Sequence, residues 1–250
     1  MKTALITGAS SGIGKATATI LAKNNYNVIL CGRREDRLAT LKKELSAFTS
    51  VHTLCFDVRD KAAVFLAIST LPTPFSLIDV LINNAGNAHG LDPIQNGDLE
   101  DWDAMIDINV KGLLYVSKAI IPQMVERKSG HIINIGSTAA KEVYPNGNVY
   151  CASKHAVDAL NQGMRMDLNP FGIRVGAIHP GMVATEFSEV RFKGDIARAS
   201  NVYKGFEPLQ PEDIADIIHF VVSRPYHINI ADLVVLSTAQ ASSTIVNKTL

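Results

Sequence analysis

The chain has 250 residues, of which 47% are hydrophobic and 19% are charged, and its 24 basic side chains balance its 24 acidic ones. This composition excludes intrinsic disorder, which needs low hydrophobicity and high net charge. The zero net charge argues against a general nucleic-acid binder. Because the length suits one α/β domain, we expect a single domain over residues 1–250.

Short apolar runs alternate with segments of helical periodicity along the chain. The runs predict about seven strands, at residues 4–7, 28–31, 51–56, 80–82, 132–135, 175–178 and 233–236. Helices are predicted within residues 13–21, 38–45, 64–71, 99–121 and 150–168, and another begins at Pro211. Such alternation predicts an α/β fold: a doubly wound parallel sheet with helices on both faces. Ligands bind such sheets beyond the carboxyl ends of the strands.

Several features point to a cytoplasmic protein. The three cysteines are scattered and show no CxxC spacing, which predicts reduced thiols. The N-terminus has three apolar residues before Thr7, fewer than the about 7 of a secretory signal, and no run reaches the about 18 of a membrane span. The seven histidines show no paired ligand spacing, so we expect no catalytic metal.

A glycine-rich turn, G-x-x-x-G-x-G, joins the first predicted strand to the first helix. Glycine lets the backbone turn tightly and approach a pyrophosphate closely. The helix N-terminus then presents free N–H groups to that anion. The turn therefore predicts a dinucleotide site, with the candidates Gly8, Ser10, Ser11, Gly12, Ile13 and Gly14. A plain turn is the alternative.

Part of this turn, Gly8 to Gly12, also matches G-x-S-x-G, the nucleophile elbow of α/β hydrolases. That motif likewise follows a strand and begins a helix. A hydrolase, however, takes one oxyanion-hole N–H from a loop after an earlier strand, and no strand is predicted before this one. The pattern therefore favours the dinucleotide site.

The end of the second predicted strand indicates the type of dinucleotide. A carboxylate that binds a ribose 2′-hydroxyl should lie about 20 residues past the glycine turn. The chain there reads Cys31-Gly32-Arg33-Arg34 and has no carboxylate. Guanidinium groups pair well with a 2′-phosphate, so Arg33 and Arg34 predict NADP(H) rather than NAD(H). The alternative is that Arg33, Arg34 and Arg37 form a solvated helix start.

Tyr150 and Lys154 stand four residues apart in a predicted helix and therefore share one face. Because a nearby ammonium favours the phenolate, we expect Lys154 to lower the pKa of Tyr150 toward working pH. Ser137 follows the fifth predicted strand, where its hydroxyl could bind a substrate carbonyl. A Tyr-x-x-x-Lys spacing alone is common, but its convergence with Ser137 and the glycine turn on one sheet edge favours a catalytic site.

At this point the chain resembles the short-chain dehydrogenase/reductase family over nearly its whole length. The resemblance is carried by residues 7–14, Asp57, residues 83–86, Asn109, Ser137, Tyr150, Lys154, Pro180 and Gly181. It implies a Rossmann-type fold and hydride transfer between a nicotinamide cofactor and an alcohol or carbonyl. It also implies that Tyr150 is the acid/base, Ser137 orients the substrate oxygen and Lys154 binds the nicotinamide ribose. Asn109 resembles the family residue that holds a water in a proton relay.

The resemblance extends the cofactor site. Asp57 and Val58 resemble the family's adenine-contacting pair, and residues 84–86 would line the ribose path. Residues 180–185 would flank the nicotinamide amide. The implied contacts are Asp57, Val58, Asn84, Ala85, Gly86, Pro180, Gly181, Val183 and Thr185, together with Tyr150 and Lys154. The chain departs from the family pattern after its last strand, where residues 237–240 read STAQ in place of a glycine pair.

The substrate is expected to contact a charged segment at about residues 185–208. Arg191 and Lys193 could hold a substrate carboxylate there, and a solvated loop is the alternative. Stretches such as GRREDRL, GNVYCASKHAV and EVRFKGD resemble the subgroup of NADP-dependent 3-hydroxy acid dehydrogenases. This implies oxidation of serine, L-allo-threonine or 3-hydroxypropionate, or reduction of malonic semialdehyde, with Arg191 as the anchor. Members of that subgroup are usually tetramers, so the expected partners are a small-molecule substrate and further copies of the chain.

Two other functions stay open. A broad carbonyl or 3-oxoacyl reductase of the same family is the nearest alternative. A non-catalytic nucleotide-binding regulator belongs to a different class, but a pure binder has no need for Asn109, Ser137, Tyr150 and Lys154 together.

Overall fold

A computed structural model describes residues 1–248. Its strands, β1 to β7 in chain order, are Lys2–Thr7, Tyr26–Gly32, Val51–Cys55, Val80–Asn83, Gly130–Ile135, Ile173–Pro180 and Asp232–Val235. Within the described range they form one seven-stranded sheet in the order β3-β2-β1-β4-β5-β6-β7, and every neighbouring pair is parallel. This order reverses direction between β1 and β4, as in a Rossmann-type sheet. The predicted doubly wound α/β fold is confirmed.

The helices, α1 to α9, are Gly12–Lys23, Glu35–Leu45, Lys61–Ser69, Leu99–Ile106, Leu113–Arg127, Asn148–Leu168, Phe187–Arg191, Ile196–Asn201 and Pro211–Ser223. One buried cluster joins α1, α2 and α9 to the sheet, and a second joins α3, α5 and α6. Ile6 of β1 belongs to the first cluster and its neighbour Leu5 to the second, because successive side chains of a strand point to opposite faces. Covering both faces explains why the central strands β1, β2, β4 and β5 are almost continuously buried. Among residues 1–248, no helix combines the length and apolar character that crossing a bilayer requires.

The predicted helix over residues 99–121 is interrupted in the structure. A π-helical turn, Asp107–Gly112, separates α4 from α5. The turn brings Gly112 against the segment that follows β3, where an added Cβ would lie 2.6 Å from Cγ2 of Val58. Single π-helical turns are often found at functional sites. The π-helical turn contains Asn109, which is one of the predicted site residues.

The charged segment after β6 is not the loop that its composition indicated. It contains two short helices, α7 and α8, the second capped by Asp195, whose side chain accepts a hydrogen bond from the Arg198 amide. Val183 pairs with Leu209 as an isolated bridge and ties the two ends of the segment together. The segment is thereby held beside the carboxyl edge of the sheet.

Candidate active site

A cleft of about 560 Å³ opens at the carboxyl edge of the sheet. It lies where ligands bind in sheets of this topology. Nearly every predicted site residue lines it: Gly8, Ser10, Ser11, Gly12, Ile13, Arg33, Arg34, Asp57, Val58, Asn84, Ala85, Gly86, Ser137, Tyr150, Lys154, Pro180, Gly181, Val183, Thr185 and Arg191. Gly14 and Asn109 lie outside the lining. Their roles are described below.

The glycine turn leaves the start of α1 open to an anion. Gly8 and Gly12 have φ values of 66° and 50°, which side chains rarely adopt. At Gly14 an added Cβ would lie 2.3 Å from the Gly8 carbonyl oxygen, so glycine there allows the turn to close. The N-cap residue Ser11 makes no side-chain cap, and the first turn has no acidic residue. The N–H groups of this helix end are therefore available to a pyrophosphate.

The two arginines predicted to hold a 2′-phosphate differ in their contacts. Arg34 donates from Nη2 to the hydroxyls of Ser10 and Ser11, at 3.0 and 2.7 Å, and from Nη1 to Oε2 of Glu186, at 2.8 Å. The Arg33 side chain is 61% exposed and lies 3.6 Å from Oδ2 of Asp57. Both guanidinium groups face the mouth of the cleft. Arg34 is the better positioned, since two neighbouring hydroxyls hold it in place.

Asp57 lines the cleft and is ionised. Burial alone would raise its pKa, but hydrogen bonds from Arg59 outweigh burial and hold the pKa below its usual range. The Arg59 guanidinium donates to Oδ2 of Asp57 at 3.1 and 2.8 Å. Arg59 thus holds Asp57 in place in the cleft, and the contact of Asp57 with an adenine stays a prediction.

Tyr150 is buried and lines the cleft. Burial raises the pKa of Tyr150, and a hydrogen bond with Ser137 only partly offsets this. The Lys154 ammonium donates to the Ile135 carbonyl at 3.0 Å, and it lies 6.0 Å from the Tyr150 ring centroid. Burial lowers the pKa of Lys154 to about 8. Burial is thus the largest influence on the pKa of Tyr150 in this structure, and the expectation that Lys154 lowers that pKa stays a prediction.

Asn109 is buried directly behind the cleft. Its amide donates to the Asn87 carbonyl at 2.8 Å and to the Ser153 hydroxyl at 3.0 Å, and its Oδ1 accepts from the Asn87 amide. An added Cβ on Gly86 would lie 3.0 Å from Oδ1 of Asn109 and 3.5 Å from Nζ of Lys154. Gly86 therefore lies close to both Asn109 and Lys154. Its role in holding a relay water stays a prediction.

Arg191, at the end of α7, reaches the predicted acid/base. Its Nη1 donates to the Tyr144 hydroxyl at 2.9 Å and its Nε to the Gly90 carbonyl at 3.1 Å. The guanidinium carbon lies 5.5 Å from the ring centroids of both Tyr144 and Tyr150. Lys193 behaves differently: it pairs with Asp98 and Asp101 and does not line the cleft. Of the two candidates for a substrate carboxylate, the structure therefore favours Arg191 over Lys193.

A charged cluster lies beneath Ser137. The buried His179 places Nδ1 3.3 Å from the Ser137 carbonyl oxygen and Nε2 2.9 Å from Oδ1 of Asp232. Lys141 lies 2.6 Å from Asp232 and 3.0 Å from Asp158. The ligand-type atoms of Asp158, His179 and Asp232 lie within 4.8 Å of one another, a grouping that sequence spacing does not show. The ammonium of Lys141 contacts both carboxylates and offsets their charge. The expectation of no catalytic metal stays a prediction.

Some cleft residues were not found from the sequence. Tyr144, Glu186 and Phe187 line the cleft, and no motif marks them. Gln240 also lines it, and its Oε1 accepts a hydrogen bond from the Met182 amide at 2.9 Å. An added Cβ on Gly181 would lie 2.1 Å from the same oxygen. Gln240 belongs to the STAQ sequence that departs from the family pattern, so that departure was the signal for it.

Comparisons with known proteins agree with this geometry. Residues 2–195 match the family model described as short chain dehydrogenase. The chain is 45% identical over 238 residues to the NADP-dependent 3-hydroxy acid dehydrogenase YdfG of Salmonella typhi, covering 95% of each. It is also 45% identical over 240 residues to sulfoacetaldehyde reductase 2 of Chromohalobacter salexigens, covering 96% of this chain and 95% of that one. The closed form of a serine dehydrogenase complexed with NADP+ superposes with a TM-score of 0.93 and 42% identity, over 96% of this chain and 97% of that one.

Proposed function

The chain belongs to the short chain dehydrogenase family, and we propose that it is an NADP-dependent oxidoreductase acting on small 3-hydroxy acids and the matching carbonyl acids. The observation that carries the proposal is the position of Arg191, whose guanidinium carbon lies 5.5 Å from the ring centroid of Tyr150. A cation beside the acid/base is what a short acidic substrate requires. The substrates are of the serine, L-allo-threonine and 3-hydroxypropionate type.

The residues of the cleft fit a dinucleotide phosphate. The glycine turn allows close approach of a pyrophosphate to the open end of α1. Arg33 and Arg34 supply guanidinium groups for a 2′-phosphate, and Ser10 and Ser11 supply hydroxyls beside them. Relatives named as NADP-dependent support the same preference. When bound, the nicotinamide cofactor supplies or accepts the hydride, while the protein provides geometry and charge.

The catalytic residues divide the proton chemistry between them. In reduction, the neutral phenol of Tyr150 donates its proton to the carbonyl oxygen, and the Ser137 hydroxyl holds that oxygen in place. In oxidation, Tyr150 must first lose its phenol proton, and the resulting phenolate then accepts the proton of the substrate hydroxyl. Lys154 would hold the nicotinamide ribose of a bound cofactor. Asn109 packs behind Gly86 and keeps the surroundings of Lys154 fixed.

The anchor explains why the acid should be short. In a 3-hydroxy acid, one carbon separates the carbinol carbon from the carboxylate, so the carboxylate must bind close to the acid/base. Arg191 is fixed there by hydrogen bonds to Tyr144 and Gly90, which use Nη1 and Nε. Among the described residues, its Nη2 has no hydrogen-bond partner and can donate to a substrate. An ordered guanidinium loses little conformational freedom when it binds a carboxylate.

A sulfonate substrate is a second candidate. One of the relatives at 45% identity is named a sulfoacetaldehyde reductase. Sulfoacetaldehyde and malonic semialdehyde both have one methylene between the aldehyde carbon and the anionic group, so a single anchor could serve either. A broad carbonyl or 3-oxoacyl reductase would not need this anchor. A non-catalytic nucleotide-binding regulator would not need Tyr150.

The test is a panel of initial rates that follows nicotinamide absorbance. The alcohols are L-serine, D-serine, L-allo-threonine and 3-hydroxypropionate, each with NADP+ and with NAD+, and the carbonyls are malonic semialdehyde, sulfoacetaldehyde and a neutral ketone. Turnover of the acids with NADP+ preferred is the expected result. Turnover of neutral ketones alone would overturn the acid assignment. Cofactor binding without any turnover would favour the regulator.

A further inference from the structure

A carboxylate from a distant segment occupies the arginines at the mouth of the cleft. Glu186 accepts from Nη1 of Arg34 at 2.8 Å through Oε2, and from Nη1 of Arg37 at 2.5 Å through Oε1. Each oxygen thus binds a different guanidinium. The three side chains are 38–44% exposed, so solvent and ligands can reach them. The contact lies beside the Ser10 and Ser11 hydroxyls, which also bind Arg34.

This contact uses the donors that a 2′-phosphate needs. Burial alone would raise the pKa of Glu186, but hydrogen bonds from Arg34 and Arg37 outweigh it and hold the pKa below the ordinary value. The carboxylate is therefore ionised at neutral pH. Two anions on one guanidinium repel each other, and each N–H of Arg34 can bind only one of them well. The proposed phosphate site thus already contains an anion supplied by the protein.

The backbone around Glu186 limits how far it can move. Thr185 lies over the glycine turn, where an added Cβ on Gly12 would be 3.2 Å from its methyl group. Phe187 packs against Tyr150 with ring centroids 5.6 Å apart. Glu186 stands between these two contacts, which hold its backbone close to the arginines.

We propose that Glu186 determines cofactor specificity by competing with the 2′-phosphate of the cofactor for Arg34 and Arg37. The inference rests on the proposed use of NADP. Binding of the phosphate displaces the carboxylate. The loss of the ion pairs with Glu186 therefore offsets part of the attraction between the phosphate and the arginines. A cofactor without the phosphate leaves the Glu186 contacts intact. The competition therefore weakens NADP binding and leaves NAD binding nearly unchanged.

Equilibrium binding of two nicotinamide-free probes tests the proposal. Titration calorimetry at low salt measures 2′,5′-ADP, which carries the phosphate, and 5′-AMP, which lacks it, with the wild-type protein and with Glu186→Gln. Two exposed ion pairs are lost in the variant, so we expect it to bind 2′,5′-ADP about three- to tenfold more tightly. Binding of 5′-AMP should change by less than about twofold. The gain should shrink at high salt, because exposed charges are screened.

The matched control is Glu189→Gln, which makes the same charge change three residues further along. Glu189 is exposed and does not line the cleft. It should leave the affinity for both probes unchanged, and an equal gain in this variant would overturn the proposal, since the effect would then follow net charge alone.

Unchanged or weaker binding of 2′,5′-ADP by Glu186→Gln would overturn the competition. Weaker binding of both probes would instead identify Glu186 as a residue that closes over the cofactor. The wild-type protein reports separately on the proposed function: if it binds the two probes equally, the preference for NADP fails. A gain limited to 2′,5′-ADP in the variant would still support competition by Glu186 in that case.

Discussion

The guanidinium of Arg191 lies 5.5 Å from the ring centroid of Tyr150, although 41 positions separate the two residues in the sequence. A hydrogen bond to the Tyr144 hydroxyl and another to the Gly90 carbonyl hold it there. In the proposed function, this arrangement joins recognition of a substrate charge to the site of proton transfer. It would then restrict the substrate to molecules whose anionic group is close to the reacting carbon.

Replacing the anchor should affect substrate binding more than chemistry. We expect Arg191→Met to raise KM for acidic substrates by about ten- to a hundredfold, because a charged hydrogen bond is lost. The rate on a neutral aldehyde should change little. Steady-state kinetics on malonic semialdehyde and on propanal give both values. Lys193→Met is the control, since Lys193 pairs with Asp98 and Asp101 outside the cleft; a similar KM increase in that variant would speak against the anchor.

Removal of the Tyr150 hydroxyl should abolish most turnover. We expect Tyr150→Phe to lower kcat by about 10²–10⁴-fold, since the phenol is the proposed proton donor. Cofactor binding should be retained, because the glycine turn and Arg34 are untouched. Binding by fluorescence titration, measured beside the rates, separates the two effects. Near-normal turnover in the variant would refute the assignment of Tyr150.

Loss of the Arg34 side chain should reduce the preference for NADP. We expect Arg34→Ala to weaken NADP+ binding by about ten- to a hundredfold and NAD+ binding by less than about threefold. Arg33→Ala should have the smaller effect, because its side chain is 61% exposed and has no neighbouring hydroxyls that hold it. Dissociation constants for both cofactors provide the comparison. Equal losses for NADP+ and NAD+ would contradict the phosphate role.

The buried Lys154 side chain should lower the free energy of unfolding at neutral pH, although it belongs to the proposed catalytic site. Burial lowers its pKa from 10.5 to about 8, so the folded state binds fewer protons than the unfolded state between these values. Stability from this group therefore rises with pH across that window, and below pH 8 the full cost of about 3 kcal/mol applies. Lys154→Met removes that cost but also a hydrogen bond to Ile135 worth about 1 kcal/mol.

The net expectation is that Lys154→Met is inactive yet about 1–2 kcal/mol more stable at pH 7. The advantage should shrink as pH rises from 8 toward 10. Thermal unfolding across this pH range measures it, with Lys118→Met on the exposed face of α5 as the control. A variant less stable than wild type at pH 7 would contradict the cost assigned to burial.

Local sequence patterns predict most of the fold and several site residues, but they do not predict the contacts between distant segments. Each apolar run gave a strand, and the runs of the central strands are continuous because helices cover both faces of the sheet there. Ser137, Tyr150 and Lys154 follow from motifs beside β5 and on α6. The contact between Glu186 and Arg34 could not be predicted, because 152 positions separate the two residues and no motif contains both. The dominance of burial at Tyr150 was likewise hidden, because it depends on how α7 covers the ring.

The acid preference of the wild-type protein tests the central claim most directly. We would compare kcat/KM for the reduction of malonic semialdehyde and of propanal by NADPH, because these substrates differ only in the carboxylate. A charged hydrogen bond to Arg191 predicts a value at least about tenfold higher for malonic semialdehyde. Equal values, or a higher value for propanal, would contradict an enzyme that recognises small acids through Arg191.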